Sequence, residues 1–385
     1  MKKQTVVATP NTPAAAPNST NTTYLVTGAT GFVGNNLVKE LERRGHNVIA
    51  LVRDEGKAEE ALAGTRAKRV FGDILNKDAI NEMFESVPQG HKAIFVHTAS
   101  VVYLGSNKKA LENMRRVNIE GTQNVINECK AQKCRLVYVS SVHAITEPKH
   151  RALTTEIKDF NPKKVVGHYA KTKAAASALV MNAIHNEGLD AVLVHPAGIT
   201  GPGDYSNTHM TQMCNAFLRG EIPAGVKGGY DFVDVRDVAI GIVGAAERGT
   251  AGDCFLLTNT YISVRDLLNI LAKLSHKKPI KFCLTRGFVV MTLPAVALLN
   301  ALTHKRPLFT RYSLYTLGSN SNFSHKFASE KLGYTPRSIE ESLRDTLEEI
   351  KFKEQLLKEQ QKAEAEAAKK AQAEATAIEQ KGETK

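Results

Sequence analysis

Tyr169 and Lys173 stand four residues apart in a stretch patterned as a helix, so both side chains fall on one face. A phenol ordinarily ionises near ~10, too high for useful base work at neutral pH. A cation one turn away favours the phenolate and lowers that value. Tyr169 could then give a proton to a carbonyl oxygen or take one from an alcohol. Ser141, at the end of an apolar strand pattern, could hold the same oxygen. Tyrosine–lysine pairs at this spacing are common on helix surfaces, and this one gains weight from a second motif near the N-terminus.

That motif is Tyr24–Gly34, YLVTGATGFVG. A short apolar run breaks at Gly28, Gly31 and Gly34 follow at three-residue steps, and a helical pattern over Asn35–Arg44 ends at Gly45. Gly28 permits a sharp turn, Gly31 removes a Cβ where an anion must approach, and Gly34 lets helix and strand pack closely. The free N–H groups and positive dipole end of the helix face that anion. Strand, glycine turn, helix and second strand in register point to the pyrophosphate of a dinucleotide. Lys173 would then also reach a nicotinamide ribose.

These groups need a scaffold, and the chain supplies alternating elements. Apolar strand patterns fall at Asn47–Val52, Ala67–Phe71, Ala93–His97, Arg135–Ser140 and Ala191–His195, with helical patterns including Val117–Lys130 and Tyr169–Glu187, the latter stopped by Gly188. The expected fold is α/β: a doubly wound parallel sheet (Rossmann) with a smaller, mixed C-terminal substrate lobe. Ligands of such sheets bind beyond the strands' carboxyl ends, where Gly72-Asp73, Thr98-Ala99-Ser100 and Ser140-Ser141 lie. At the end of the second strand an NAD binder carries an acidic residue; here Val52 holds that place, followed by Arg53, with Lys57 one turn on. Two cations without the carboxylate suit the 2′-phosphate of NADP. Asp54 would weaken that preference if it turned inward, which keeps NAD as the second coenzyme.

Length and composition agree with a cofactor enzyme. A chain of 385 residues can bury a large core. Five scattered cysteines without a Cys-x-x-Cys pair suggest reduced thiols, neither a disulfide frame nor a metal site. The net charge of +12 is spread along the chain with no nucleic-acid motif, so no nucleic-acid partner is expected. Met1-Lys2-Lys3 leads into no apolar core of useful length, so a cytoplasmic location is expected over secretion. Residues 1–22 read as a disordered leader, 23–200 as the dinucleotide-binding domain, and 201–345 as the substrate lobe, with segments at about 229–260 returning to the core. Residues 346–385 read as a charged helical or disordered tail. Phe288–Leu302 is almost wholly apolar and flanked by Lys277, Lys278, Lys281, Arg286, Lys305 and Arg306, yet falls short of the ~18–20 residues of a spanning helix. It reads as a buried lobe helix, with a peripheral membrane contact as its alternative.

Taken together, TGATGFVG (Thr27–Gly34), Gly72-Asp73-Ile74, His97–Ser100, VNIEGTQN (Val117–Asn124), Ser140-Ser141, Tyr169–Lys173, HPAGITGPGD (His195–Asp204) and FVDVRDVA (Phe232–Ala239) resemble the extended short-chain dehydrogenase/reductase superfamily over about residues 23–345. The resemblance implies that Tyr169 is the acid/base, Lys173 its activator, Ser141 the donor to the substrate oxygen and Asn118 a proton-relay residue. It implies coenzyme contacts from Gly28, Thr30, Gly31, Phe32, Val33, Gly34, Arg53, Lys57, Asp73 (to the adenine amino group), Ile74, Thr98, Ala99, Ser100, Tyr169 and Lys173. Pro196 through Ile199 would line the nicotinamide. Alternation along a strand sends Ser140 and Ser141 to opposite faces, and position in the motif selects Ser141. His195 departs from the arginine common in relatives and is given no role.

Dehydratases of nucleotide sugars carry a Thr-Asp-Glu run where this chain has Ser141-Val142-His143, without either carboxylate, which argues against dehydration. The pattern is closer to the dihydroflavonol-4-reductase and 3β-hydroxysteroid dehydrogenase branches, implying a small or hydrophobic ketone/alcohol substrate and NADP. A nucleotide-sugar epimerase retaining NAD and a non-catalytic NADP-binding sensor are the alternatives. A homodimer is left open.

Overall fold

The computed structural model describes residues 21–148, 152–303 and 310–382; apart from residues 21 and 22, the expected leader lies outside them. In chain order the strands are β1 (Thr22–Thr27), β2 (Asn47–Val52), β3 (Lys68–Phe71), β4 (Lys92–His97), β5 (Arg135–Val139), β6 (Ala191–Pro196) and β7 (Gly198–Thr200). There follow β8 (Gly225–Val226), β9 (Gly229–Asp234), β10 (Cys254–Leu257), β11 (Thr260–Ser263) and β12 (Cys283–Leu284). The helices are α1 (Phe32–Arg43), α2 (Glu55–Ala61), α3 (Lys77–Glu85), α4 (Lys108–Arg115), α5 (Thr122–Ala131), α6 (His168–Glu187) and α7 (His209–Leu218). They continue as α8 (Val235–Arg248), α9 (Val264–Leu274), α10 (Arg286–Thr303), α11 (Arg311–Thr316), α12 (Lys326–Leu332) and α13 (Ile339–Gly382).

The main sheet has seven parallel strands in the order β10-β6-β5-β4-β1-β2-β3. Its central strands are buried on both faces, which is why they read as continuous apolar runs instead of alternating ones. The chain winds from β1 through β2 to β3, then returns to β4 and winds the other way. Right-handed crossovers therefore place helices on both faces. On one face α1 packs against α8; α3, α5 and α6 form a row of contacts on the other. The reversal lies between β1 and β4, and a crevice opens beyond their carboxyl ends.

One refinement concerns the helices. The expected helix at Val117–Lys130 belongs to a longer run, in which α4 and α5 are joined by a π-helical turn over Arg116–Gly121. Gly121 in that turn lies where a Cβ would collide with the Ile74 side chain. Helix α6 stops at Gly188 in the left-handed conformation (φ +69°), as glycine allows.

The smaller lobe holds a three-stranded sheet, β11-β9-β7, and the β8–β12 pair. The chain re-enters the main sheet later than residue 229, because β9 stays in the small sheet and only α8 and β10 return. The lobe has its own core, in which Met210, Phe217, Leu267 and Leu271 meet Leu343, Leu347 and Ile350 of α13. The last lobe helix and the expected tail are thus one helix, buried on one side as far as Ile350 and exposed from Lys351 to Glu366.

Candidate active site

The glycine loop follows β1. Gly28 has φ +70°, and a Cβ there would lie 2.7 Å from both the Ala99 backbone nitrogen and Thr98 Oγ1. A Cβ on Gly34 would collide with the Gly28 carbonyl. Gly31 is the N-cap of α1 and offers no side-chain cap, so the first-turn N–H groups stay available to an anion. The loop is therefore shaped to bring a phosphate against backbone, and a dinucleotide fits these residues.

One groove runs from this loop in two directions. An arm of about 410 Å³ is lined by Gly28, Thr30, Gly31, Arg53, Lys57, Asp73, Ile74, Thr98, Ala99 and Ser100. A wider arm of about 740 Å³ takes in Phe32, Val33, Gly34, Ser141, Tyr169, Lys173, Pro196 and Ile199. The expected residues thus converge, with one exception. Asn118 lines neither arm. Its Oδ1 accepts from Ser100 Oγ (3.1 Å) and the Val101 N–H (2.8 Å), and its Nδ2 donates to the Val101 carbonyl (3.0 Å) and Thr172 Oγ1 (3.0 Å). With both ends of the amide engaged, Asn118 ties the loop after β4 to α6.

Tyr169 and Lys173 lie on the first turns of α6, facing the end of β5. Burial pushes the Tyr169 phenol up to about 12, and a hydrogen bond with Ser141 pulls the other way. Burial also lowers Lys173 to about 7. Its Nζ donates to the Val139 carbonyl at 2.8 Å and sits 5.2 Å from the centre of the Tyr138 ring. The expectation that Lys173 depresses the Tyr169 pKa is not met in this geometry. Desolvation dominates both groups, and the amine is turned toward the strand. Ser141 Oγ accepts the His143 N–H at 3.2 Å, while Ser140 bonds Ser177 at 2.7 Å, so the two serines do face opposite ways.

At the other end, Asp54 is not turned inward. Its carboxylate caps α2 by accepting the Lys57 N–H at 2.9 Å. Arg53 reaches Asp73 Oδ2 through Nη1 at 3.2 Å and is 66% exposed, so two groups assigned to different parts of the coenzyme touch each other. His195 is buried and stacked on Phe160 at 5.2 Å, and burial lowers it to about 3, in keeping with its having no assigned role.

Sequence reasoning missed three aromatic groups. His143 sits in the short 3-10 turn after Ser141, bonded through Nε2 to the Tyr230 hydroxyl (3.1 Å) and through Nδ1 to the Tyr312 hydroxyl (3.2 Å). All three line the wider arm, and the His143 ring meets the Tyr169 ring edge-on at 6.1 Å. His143 was visible two residues past Ser141; nothing local marked the tyrosines.

Residues 24–257 match the family described as NAD dependent epimerase/dehydratase. The chain is 28% identical over 330 residues to sterol demethylase protein B of Methylococcus capsulatus, covering 84% of this chain and 97% of that one. It is 35% identical over 252 residues to a putative dihydroflavonol 4-reductase of Synechocystis, covering 64% and 70%. It is 27% identical over 355 residues to 3beta-hydroxysteroid-dehydrogenase/decarboxylase isoform 1 of Arabidopsis thaliana, covering 84% and 78%. Among solved structures, that of gox2253 superposes with a TM-score of 0.72 at 29% identity, over 86% of this chain and 98% of that one. These relatives bear out the resemblance to the dihydroflavonol reductase and 3β-hydroxysteroid dehydrogenase branches.

Proposed function

This chain belongs to the NAD dependent epimerase/dehydratase family, and from that premise we propose that it interconverts a ketone and a secondary alcohol on an apolar substrate by hydride transfer. The observation that carries the reading is the wider arm of the groove. There Ser141, Tyr169 and Lys173 meet the glycine loop on one side and Met210, Met213, Phe232, Leu267 and Leu317 of the lobe on the other.

The dinucleotide, when bound, supplies or accepts the hydride. The chain's own residues manage the oxygen and its proton. Ser141 holds the carbonyl oxygen, and Tyr169 donates its phenolic proton to that oxygen as it gains charge. A phenol held at about 12 is protonated at neutral pH, the form that reduction needs. Lys173 anchors the first turns of α6 on the Val139 carbonyl and would help to hold the ribose of a bound coenzyme. The relatives named as a reductase and a hydroxysteroid dehydrogenase support this class of reaction.

NADP is the proposed coenzyme. Arg53 and Lys57 line the adenosine arm, and the Asp54 carboxylate is committed to its cap. Replacing Arg53 with Ala should lower NADPH affinity by roughly one to two decades, the scale of a lost charge-assisted phosphate contact, and change NADH little. Equal losses for the two coenzymes would refute the assignment. For the lobe, no helix among the described residues is long and apolar enough to cross a membrane. The exposed Phe282, Phe288, Val290 and Met291, beside Lys278, Lys281 and Arg286, support the peripheral contact proposed for α10, to be tested by co-sedimentation with anionic vesicles.

The experiment that tests the function incubates the protein with NADPH or NADH and a panel of hydrophobic ketones and nucleotide sugars. Coenzyme oxidation with a ketone is expected. Sugar interconversion without net oxidation would point to the NAD-retaining epimerase, and coenzyme binding with neither to a sensor.

A further inference from the structure

Three cations from three elements meet on the side of α11 that faces away from the groove. Lys227 follows β8, Arg286 opens α10 and Arg311 opens α11. With Thr285, Gly287 and Tyr315 they line a pocket of about 610 Å³ that no aspartate or glutamate enters. All three are exposed, and among the described residues none of them has an ion pair or a side-chain hydrogen bond. Elsewhere many of the arginines are paired: Arg43 and Arg44 with Glu40, Arg135 with Asp190, Arg236 with Asp234 and Arg337 with Asp237. Glu147 lines a different cavity, where it is taken by the Tyr315 hydroxyl (2.9 Å) and the Asn320 N–H (3.2 Å).

The backbone builds this pocket. The Lys227 N–H donates to the Leu284 carbonyl at 2.8 Å, which fixes one wall to β12. Gly318 lies just past α11, and a Cβ there would overlap the Arg286 guanidinium. The glycine thus makes the seat in which that group lies. Like charges gathered without a counter-ion repel one another, so the pocket gains most from a ligand with more than one negative charge. A phosphate group answers that need: a guanidinium binds it by two parallel N–H···O bonds, and an ammonium adds a point charge. The amino end of the 18-residue α10, at Arg286 and Gly287, contributes its positive dipole end.

We propose that Lys227, Arg286 and Arg311 form a binding pocket for the phosphate group of an ester, separate from the coenzyme groove. Helix α11 divides the two sites. Its Tyr312, Ser313 and Thr316 line the wider arm, whereas Arg311 and Tyr315 line the pocket. Two sources offer the same chemistry. A phospholipid headgroup suits the exposed Phe288, Val290 and Met291 on the same helix as Arg286. A soluble phosphate ester presents the same oxygens without a surface. The pocket stands whether or not the groove reduces a ketone.

The test uses the full chain saturated with coenzyme, so that the groove itself takes no phosphate. Inorganic phosphate is titrated by calorimetry, and phosphatidylcholine vesicles with and without phosphatidic acid are co-sedimented. The wild type is compared with Lys227→Ala/Arg311→Ala, with Gly318→Ala, and with Lys108→Ala/Lys109→Ala, which removes the same charge from α4. The wild type should bind phosphate, the acidic vesicles or both. The two pocket variants should bind about 10-fold more weakly, and the α4 variant should match the wild type. Gly318→Ala removes no charge, so its loss separates a seated guanidinium from the general attraction of a basic chain to anions. The Lys227/Arg311 variant alters exposed side chains only and keeps the test available if Gly318→Ala fails to fold. Binding of phosphate without vesicles assigns the pocket to a soluble ester; binding of acidic vesicles without phosphate assigns it to a lipid headgroup. A wild type that binds neither, an equal loss in the α4 variant, or pocket variants that bind like the wild type would each overturn the pocket. Vesicle binding that survives in the pocket variants would belong to the apolar side chains of α10, leaving the peripheral contact in place.

Discussion

At the scale of single residues, the site is governed by desolvation. Tyr169 is held protonated and Lys173 is lowered to about 7 by the same burial. If Tyr169 is the proton donor, Tyr169→Phe should leave coenzyme affinity nearly intact and lower turnover by at least ~100-fold. Steady-state rates beside a coenzyme titration check this, and retained turnover would mean that the proton comes from elsewhere. Lys173 makes a second prediction, about stability. Its folded-state pKa lies below the ordinary value of 10.5, so between about 7 and 10.5 the unfolded chain binds the extra proton. Stability should rise with pH through that window and level off below it. Thermal unfolding of the wild type and Lys173→Met between pH 7 and 10 isolates the effect, because other groups titrate alike in both. Parallel curves would show that the amine is not desolvated. Burial also explains what the sequence hid: the four-residue spacing of Tyr169 and Lys173 was legible, whereas the turn of the amine toward Val139 depends on packing no local pattern encodes.

At the scale of elements, α13 does more than end the chain. Leu343, Leu347 and Ile350, spaced for one helix face, complete the lobe core. Beside that stripe, Glu349 Oε2 accepts the Gly203 N–H at 2.5 Å, and the ammonium groups of Lys353 and of Lys39 on α1 lie 4.3 and 5.1 Å from the centre of the Tyr205 ring. Asn35 of α1 donates to the Gly203 carbonyl at 2.9 Å. The helix therefore braces the loop that carries Tyr205 and Ser206 over the adenosine arm. A chain ending at 356 should keep its melting temperature and coenzyme affinity. One ending at 346 exposes the core facing Leu347 and Ile350, at a cost of about 1.5–3 kcal/mol for each side chain, and should lose several degrees along with coenzyme affinity. Calorimetry with coenzyme titration of both truncations decides, and equal behaviour would remove α13 from the account. The stripe was readable in the sequence, but a tail drawn from residue 346 cut through it. Strands and glycine loop were legible because their periods and turn residues are local. Tyr230 and Tyr312 were not, because only the packing of β9 and α11 brings them to His143.

At the scale of the whole molecule, the sheet's reversal between β1 and β4 creates the crevice, and the lobe closes an apolar wall over it. Desolvation also keeps three histidines neutral: His97 and His195 of the interior, each lowered to about 3, and the half-buried His143 of the groove wall, lowered to about 4. Below about 6.5, the ordinary histidine value, the unfolded chain takes protons that the folded chain refuses, so stability falls with acid. Asp231, pushed up to about 7, and Glu156, also raised by burial, act in the opposite sense, two groups against three. Urea midpoints should therefore drop between pH 6.5 and 5, above the main carboxylate range; a flat profile would mean that these rings are not buried neutral. The central claim, hydride transfer to a ketone carbon in this crevice, is tested most directly with NADPH deuterated at the transferring position and an accepted ketone. Mass spectrometry of the product should show an alcohol one mass unit heavier, with the deuterium on the carbinol carbon. Conversion of substrate with the label retained in the coenzyme pool would contradict it.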